Sequence, residues 1–381
     1  MLCQRLGTRA IAAYADQCGA LKTGAVNRVS LTSINRRRVL QGLAVAGAGA
    51  AGLSACGHEP PQLSLAIWQD YLGETTLEDF RRASGIVVSV TTYANNAELY
   101  AKLKAGNHGF DLVVPSSQWT ERLIREDLIA PLSHARLPNL ANLEAAFADM
   151  SYDPGNSHSV PYTWLALGIG YRKSKVAQVP AGWKALLEGP GYAGRIALPA
   201  DPALLFRIAA KALGFSANQF NPDRVKQAEA EVARALPRVK ALHHDGGQDL
   251  LLKGEADLVA LWNGDMAQVA LEDPDIGFAL PSEGALLSCD CLCIPAASTR
   301  PENAHKLIDF LLSAEGGAGV AGTIWFPTPD RAARAIMPAE YAANPVLFPA
   351  GRPAGTSEFV GDNPALDAQF AAALARLQVP Q

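Results

Sequence analysis

No Gly-x-Ser-x-Gly elbow, phosphate-binding glycine loop or His-Glu-x-x-His helix occurs in the 381 residues, so the short-range marks of serine hydrolases, nucleotide enzymes and zinc proteases are missing. The chain is therefore expected not to be an enzyme and to need no cofactor. It has no internal repeat and no low-complexity tract, which excludes solenoids and disordered arrays. Its longest weakly apolar run, Val39 to Ala55, is short and rich in Ala and Gly, a poor membrane span. Basic charge is also scarce where a nucleic-acid partner would need it. Residues 1–55 hold seven Arg or Lys against the single acid Asp16, and subtracting that +6 from the total of −4 leaves −10 for residues 56–381. An acidic body argues against nucleic acid and favours a cationic partner. With 49% hydrophobic residues, the length is enough for two globular cores.

The basic excess lies in a leader. Asn35-Arg36-Arg37-Arg38-Val39-Leu40-Gln41 followed by the Ala/Gly-rich run has the n-region and h-region of a signal peptide, and its arginines resemble a twin-arginine export signal. Asn35 and Gln41 depart from the usual flanks, which leaves the ordinary secretion route open. Leu53-Ser54-Ala55-Cys56 resembles a lipobox, so cleavage would leave a mature chain from Cys56, tethered to a membrane through lipid on that cysteine. Residues 1–55 are set aside as this signal peptide.

From Leu63 onward, apolar runs with strand-like alternation take turns with helical patterns: strands at Leu63–Trp68, Val87–Thr92 and Asp111–Val114, helices at Leu77–Ala83, Asn96–Ala105 and Trp119–Glu126. This is the pattern of a doubly wound α/β sheet. A second set follows with strands at Thr163–Tyr171, Arg195–Leu198 and Leu258–Trp262, before Leu286–Pro295 returns. The chain builds one α/β domain, enters a second and comes back, which places a cleft between two domains. Ile67-Trp68-Gln69-Asp70-Tyr71 closes the first strand with two aromatic faces and a carboxylate at the end where open sheets bind ligands. Those groups suit one wall of a cleft for an organic cation.

Seven pieces, in order across nearly all of the mature chain, resemble the periplasmic polyamine-binding proteins of ABC importers. They are the Ile67–Tyr71 stretch; Leu99-Tyr100-Ala101-Lys102-Leu103; Phe110-Asp111-Leu112-Val113-Val114-Pro115-Ser116; Val160-Pro161-Tyr162-Thr163-Trp164; Leu261-Trp262-Asn263-Gly264-Asp265; Asp290 before Ile294-Pro295; and Phe326-Pro327-Thr328-Pro329. The resemblance implies a type II periplasmic-binding fold, an α/β molecule of two lobes joined by crossing strands, with residues 56–166 and 290–334 in one and 167–289 and 335–381 in the other. It implies a monomer that captures putrescine or spermidine between the lobes outside the cytoplasm and delivers it to the permease. Its aromatic walls fall on Trp68, Tyr71, Trp262 and Phe326, its carboxylates on Asp70, Asp201, Asp265 and Asp290, and a polar helper on Ser116. The chemistry agrees, because aromatic faces accommodate a methylene rod and engage cations at ~0.5–2 kcal/mol per contact, while carboxylates accept charge-assisted hydrogen bonds from ammonium groups.

Three positions depart from the family pattern. Leu204 stands where a Glu is common, Ser288 where some members have an aromatic, and Phe326 where a Tyr is usual. The losses favour a diamine or altered amine with no charge facing Leu204, since a buried unpaired ammonium is costly. Asp201 before Pro202 equally fits a helix N-cap, Asp265 a helix start and Ser116 a helix cap.

Cys289-Asp290-Cys291-Leu292-Cys293 is not required by the resemblance. On a strand the three thiols share one face and Asp290 and Leu292 the other, with Cys289 and Cys293 about 13 Å apart at ~3.3 Å per residue, too far to hold one zinc ion together. The plain reading is core packing. A metal- or thiol-dependent periplasmic protein using Cys289, Cys291 and Cys293 is the alternative, with His243-His244-Asp245 as the candidate source of further ligands.

Overall fold

A computed structural model describes residues 62–189, 191–244, 246–349 and 356–378. The leader and Cys56 lie outside the described residues. The first elements are β1 (Gln62–Trp68), α1 (Thr76–Ser84), β2 (Val87–Tyr93), α2 (Asn96–Ala105), β3 (Leu112–Val113) and α3 (Ser117–Arg125). Local chemistry sets their ends. Asn95 accepts a hydrogen bond from the Glu98 amide to start α2, and Gly85 stops α1 with φ +74, a conformation that costs glycine little. Strands β1, β2 and β3 run parallel, and alternation in β1 sends Leu63, Leu65 and Ile67 to one face of the sheet and Ala66 to the other. The first core thus has two halves, one on each face.

The chain then crosses. Strand β4 (Ser159–Arg172) begins among first-core residues, with Val160 and Tyr162 on one face and Trp164 on the other, and ends with Leu167 and Ile169 in a second core. That second core is built from α4 (Trp183–Glu188), β5 (Ile196–Pro199), α5 (Pro202–Ala212), α6 (Pro222–Ala235), β6 (Val239–His243), α7 (Gly247–Leu252), β7 (Leu258–Trp262), α8 (Asn263–Glu272) and β8 (Ile276–Ala279). Strand β9 (Leu286–Cys293) runs back antiparallel to β4, from Leu286 in the second core to Leu292 in the first. The return continues through α9 (Pro301–Leu311), α10 (Ala314–Ile324), α11 (Arg331–Ile336), α12 (Ala339–Ala342), β10 (Glu358–Phe359) and α13 (Pro364–Gln378). Strand order is β2-β1-β3-β9-β4-β7-β5-β6, with β8 beside β4 and β10 beside β9. Two parallel sets flank an antiparallel crossing pair, the α/β arrangement expected from the sequence.

The three thiols sit as the alternation requires. Cys289, Cys291 and Cys293 are fully buried in the half-core opposite Leu292, none of them in a disulfide, with the Cys291 sulfur donating to the Tyr152 hydroxyl at 3.4 Å. Among the described residues no three His, Cys, Asp or Glu side chains come together as metal ligands, so nothing there favours the metal-dependent alternative.

Candidate functional site

The carboxyl ends of the parallel strands gather the candidate residues. Trp68 is the last residue of β1, Ser116 follows β3, Asp201 follows β5 and Trp262 ends β7. Such ends are where open sheets take ligands, because the helices that follow present their free N–H groups there. Asp290 is different, since it sits inside crossing strand β9.

Asp290 is 5% exposed, and every side chain that bonds to it carries a hydroxyl. The Tyr71 hydroxyl donates to Oδ2 at 2.6 Å, the Ser116 hydroxyl donates to Oδ1 at 2.8 Å, and Thr163 Oγ1 lies 2.8 Å from the Tyr71 oxygen. Asn96 steadies Ser116 from two sides, its amide donating to Ser116 Oγ at 3.1 Å while its carbonyl accepts from the Ser116 N–H at 3.0 Å. Ser116 occupies the N-cap position of α3, yet its side chain makes no capping bond, being committed to Asp290. Among the described residues no Lys or Arg forms an ion pair with Asp290. Burial pushes its carboxyl above the ordinary range, against the pull of the three hydroxyls. Burial and the neighbouring Asp290 charge likewise hold the Tyr71 phenol well above its usual value.

Aromatic rings extend the site. Phe326 meets Tyr71 edge-on at 5.6 Å between centroids, Tyr162 tilts against Tyr71 at 5.8 Å, and the Tyr162 hydroxyl donates to the Tyr71 carbonyl at 2.8 Å. Phe326 also lies flush on Gly264, where a Cβ would come within 2.4 Å of the ring. One ring therefore joins Tyr71 of the first core to the start of α8 in the second. Its backbone is fixed from below: the Tyr341 hydroxyl donates to the Phe326 carbonyl at 2.6 Å, and the Trp164 N–H donates to Pro327 O at 3.1 Å. Trp68 packs on Tyr93 at 4.7 Å, and its buried indole N–H finds no acceptor among the described residues.

The remaining carboxylates are peripheral to Asp290. Asp70 is exposed with φ +54, in the left-handed region. Asp201 is exposed and caps α5 by accepting from the Ala203 N–H at 2.8 Å, the local alternative its position before Pro202 allowed. Asp265 is half-buried in the first turn of α8, and half-buried Trp262 packs against the second core. Leu204, on the first turn of α5, packs against that core too, as an apolar residue would. Tyr71, Ser116, Asp290 and Phe326 are thus linked by direct contacts, Trp262 and Asp265 flank the Gly264 on which Phe326 rests, and Asp70 and Asp201 make no hydrogen bond to that group. Thr163 and Asn96, which complete the network, were not singled out from the sequence as site residues. Thr163 lies in the Val160–Trp164 piece, but a neutral hydroxyl in a strand carries no mark of its partner 127 residues away.

A buried anion ringed by hydroxyls and aromatic rings, between two α/β cores joined by crossing strands, defines a solute-binding protein of the two-lobed kind. The sequence matches the family of bacterial extracellular solute-binding proteins over residues 75–349, and the chain belongs to that family. It is 34% identical over 323 residues to the spermidine/putrescine-binding periplasmic protein of Escherichia coli K12, covering 84% of this chain and 92% of the relative. It is 32% identical over 314 residues to the putrescine/cadaverine-binding protein of Pseudomonas aeruginosa PAO1, covering 79% and 88%. In fold it is similar to the spermidine/putrescine substrate-binding protein PotD of Streptococcus pneumoniae, with a TM-score of 0.78 at 24% identity over 84% of this chain and 98% of that one. The Tp0655 lipoprotein of Treponema pallidum superposes with a TM-score of 0.72 at 24% identity over 83% and 99%.

Proposed function

We propose that this chain is the extracytoplasmic capture component of an ABC importer for a polyamine or diamine, putrescine being the preferred size. The observation that carries the reading is Asp290, a buried carboxylate satisfied only by hydroxyls and lacking a protein counter-charge among the described residues. Such a group is costly unless its partner arrives from outside, and an ammonium supplies both the charge and the hydrogen-bond donors. Tyr71, Phe326, Trp68 and Trp262 supply ring faces for the methylene rod. Asp70, Asp201 and Asp265 would serve as outer carboxylates for the far end, with Leu204 apolar where a third charge would need an acid. The names of the curated relatives, which bind spermidine, putrescine or cadaverine, support the same class.

The ligand is expected to bridge the two cores and shift an open–closed equilibrium that the permease senses. The lobes would comprise residues 56–166 with 290–334, and 167–289 with 335–381. The lipobox-like Leu53–Cys56 sequence supports anchoring by lipid at Cys56 after export, and Arg36-Arg37 supports the twin-arginine route. A thermal-shift screen of residues 56–381 against putrescine, cadaverine, spermidine, spermine, agmatine and amino acids tests the class, because a ligand held only by the native state raises the midpoint. A rise with diamines supports the reading. A rise only with amino acids or with none of the panel removes it.

A further inference from the structure

Residues 356–363 bind both cores through side chains that no ligand-site reasoning uses. Toward the second core, Glu358 accepts from Lys211 Nζ at 2.9 Å and from the Ala217 N–H at 3.2 Å, and the Asn218 side chain brackets the strand by donating to Phe359 O at 2.8 Å and accepting from the Gly361 N–H at 2.9 Å. Adjacent side chains divide between the cores: Phe359 meets Tyr152 edge-on in the first at 5.7 Å between centroids, and Val360 enters the second. Toward the first core, the Asp362 carboxylate, its side chain 2% exposed, accepts from Arg122 Nε at 2.9 Å, from Arg122 Nη2 and from Arg125 Nη2. The Asp362 N–H donates to Glu121 Oε2 at 2.9 Å, and the Arg122 guanidinium lies 4.2 Å over the Trp119 ring.

All three of those partners, Glu121, Arg122 and Arg125, lie on the last two turns of α3, whose N-cap is Ser116. One helix, about 13 Å long for nine residues, therefore holds the strap at one end and the Asp290 carboxylate at the other. We propose that Asp362 is a positioning residue for ligand capture: by clamping α3 it seats Ser116 against Asp290, so the strap between the cores and the ligand carboxylate move together. A fork of arginines on a desolvated carboxylate is geometrically specific in a way surface pairs are not. A short helix transmits a displacement because its packed side chains resist deformation. The claim rests on Asp290 being the ligand carboxylate.

The test uses the mature chain carrying Asp362→Asn, with Asp362→Glu as conservative rescue and Glu358→Gln as a control that neutralises the strap's ion pair with Lys211 on the second core and leaves its first-core contacts intact. Hydrogen exchange without ligand is read first, then putrescine titration. Asp362→Asn is expected to speed exchange at the amides of Thr120 and of Cys289 and Cys291 on β9, to weaken putrescine three- to tenfold, and to move the acid limb of binding to higher pH. Asp362→Glu should restore all three, and Glu358→Gln should lower the melting temperature without moving the acid limb. Faster exchange confined to the last turn of α3, or equal effects from Glu358→Gln, would overturn the proposal. Should the parent bind no amine, the exchange pattern still decides the mechanical claim, while the ligand reading falls separately.

Discussion

The hydroxyl of Tyr71 donates a 2.6 Å hydrogen bond to the carboxylate of Asp290, across 219 residues of sequence. Strand β1 ends just before one partner and crossing strand β9 carries the other, so the bond ties the ligand end of the parallel sheet to the crossing strands. The carboxylate is buried, the phenol's own ionisation is suppressed, and no basic side chain among the described residues forms an ion pair with the anion.

Asp290→Asn should not destabilise the ligand-free protein at neutral pH. A folded-state pKa raised above the unfolded value means that ionised Asp290 works against folding. The favourable contribution of the protonated group is present at low pH and lost as pH rises through the folded value. A neutral amide removes that loss. The melting temperature should rise, by roughly 2–4 °C for each kcal/mol recovered, and the gain over the parent should shrink on acidification. A fall of several degrees at pH 7 would mean that the carboxylate is a structural anchor.

Amine affinity should decline on acidification sooner than an ordinary carboxylate near 3.9 would allow. The ammonium binds the ionised form, so affinity is complete above the raised pKa of Asp290 and falls as pH drops through it. Removing one donor, by Tyr71→Phe or Ser116→Ala, takes away a bond that favours the charged form and should move the limb to higher pH. Calorimetric titrations from pH 4 to 8 check the order. A profile flat down to pH 4 would contradict it.

Leu204→Glu should shift preference toward the triamine. Leu204 lies in the first turn of α5 beside the carboxyl end of β5, where the family resemblance leads one to expect a Glu, and here it packs on the second core. An added carboxylate offers a charge-assisted bond of ~1.5 kcal/mol or more, enough to raise the spermidine-to-putrescine affinity ratio roughly tenfold. An unchanged ratio would show that residue 204 does not face the ligand.

The thiols of Cys289, Cys291 and Cys293 should be silent toward aromatic disulfide reagents in the native protein. Burial pushes the Cys291 thiol up to about 12 and Cys293 well above its usual value, and the thiolate is the reactive form. Their labelling rate should follow global unfolding in urea. Stoichiometric labelling within minutes under native conditions would contradict the packing.

Much of this was readable from sequence because period and polarity coincide. Leu63, Leu65 and Ile67 alternate with Ala66, and the strand lies between two half-cores as that alternation requires. The thiol face of β9 was legible for the same reason. Helix α10, with four glycines in Ala314–Ile324, was not read as helix, because glycine lowers propensity; it folds through close approach, a Cβ at Gly316 meeting Phe310 O at 2.1 Å and at Gly317 meeting Ala333 at 2.8 Å. Strand β6 was missed because Lys240 and the paired histidines break its apolar run. In the site, charged and aromatic residues stood out, while Asn96 and Thr163 did not, because neutral hydrogen-bond partners leave no pattern until the chain is folded.

The most direct measurement is a calorimetric titration of putrescine into the mature protein and into Asp290→Asn at pH 7. Saturable one-to-one binding to the parent is expected, with a loss of more than tenfold in the variant, about 1.4 kcal/mol or more, and with the variant at least as thermally stable as the parent. Equal affinity in the two proteins would contradict the assignment of Asp290 as the carboxylate that receives the ammonium.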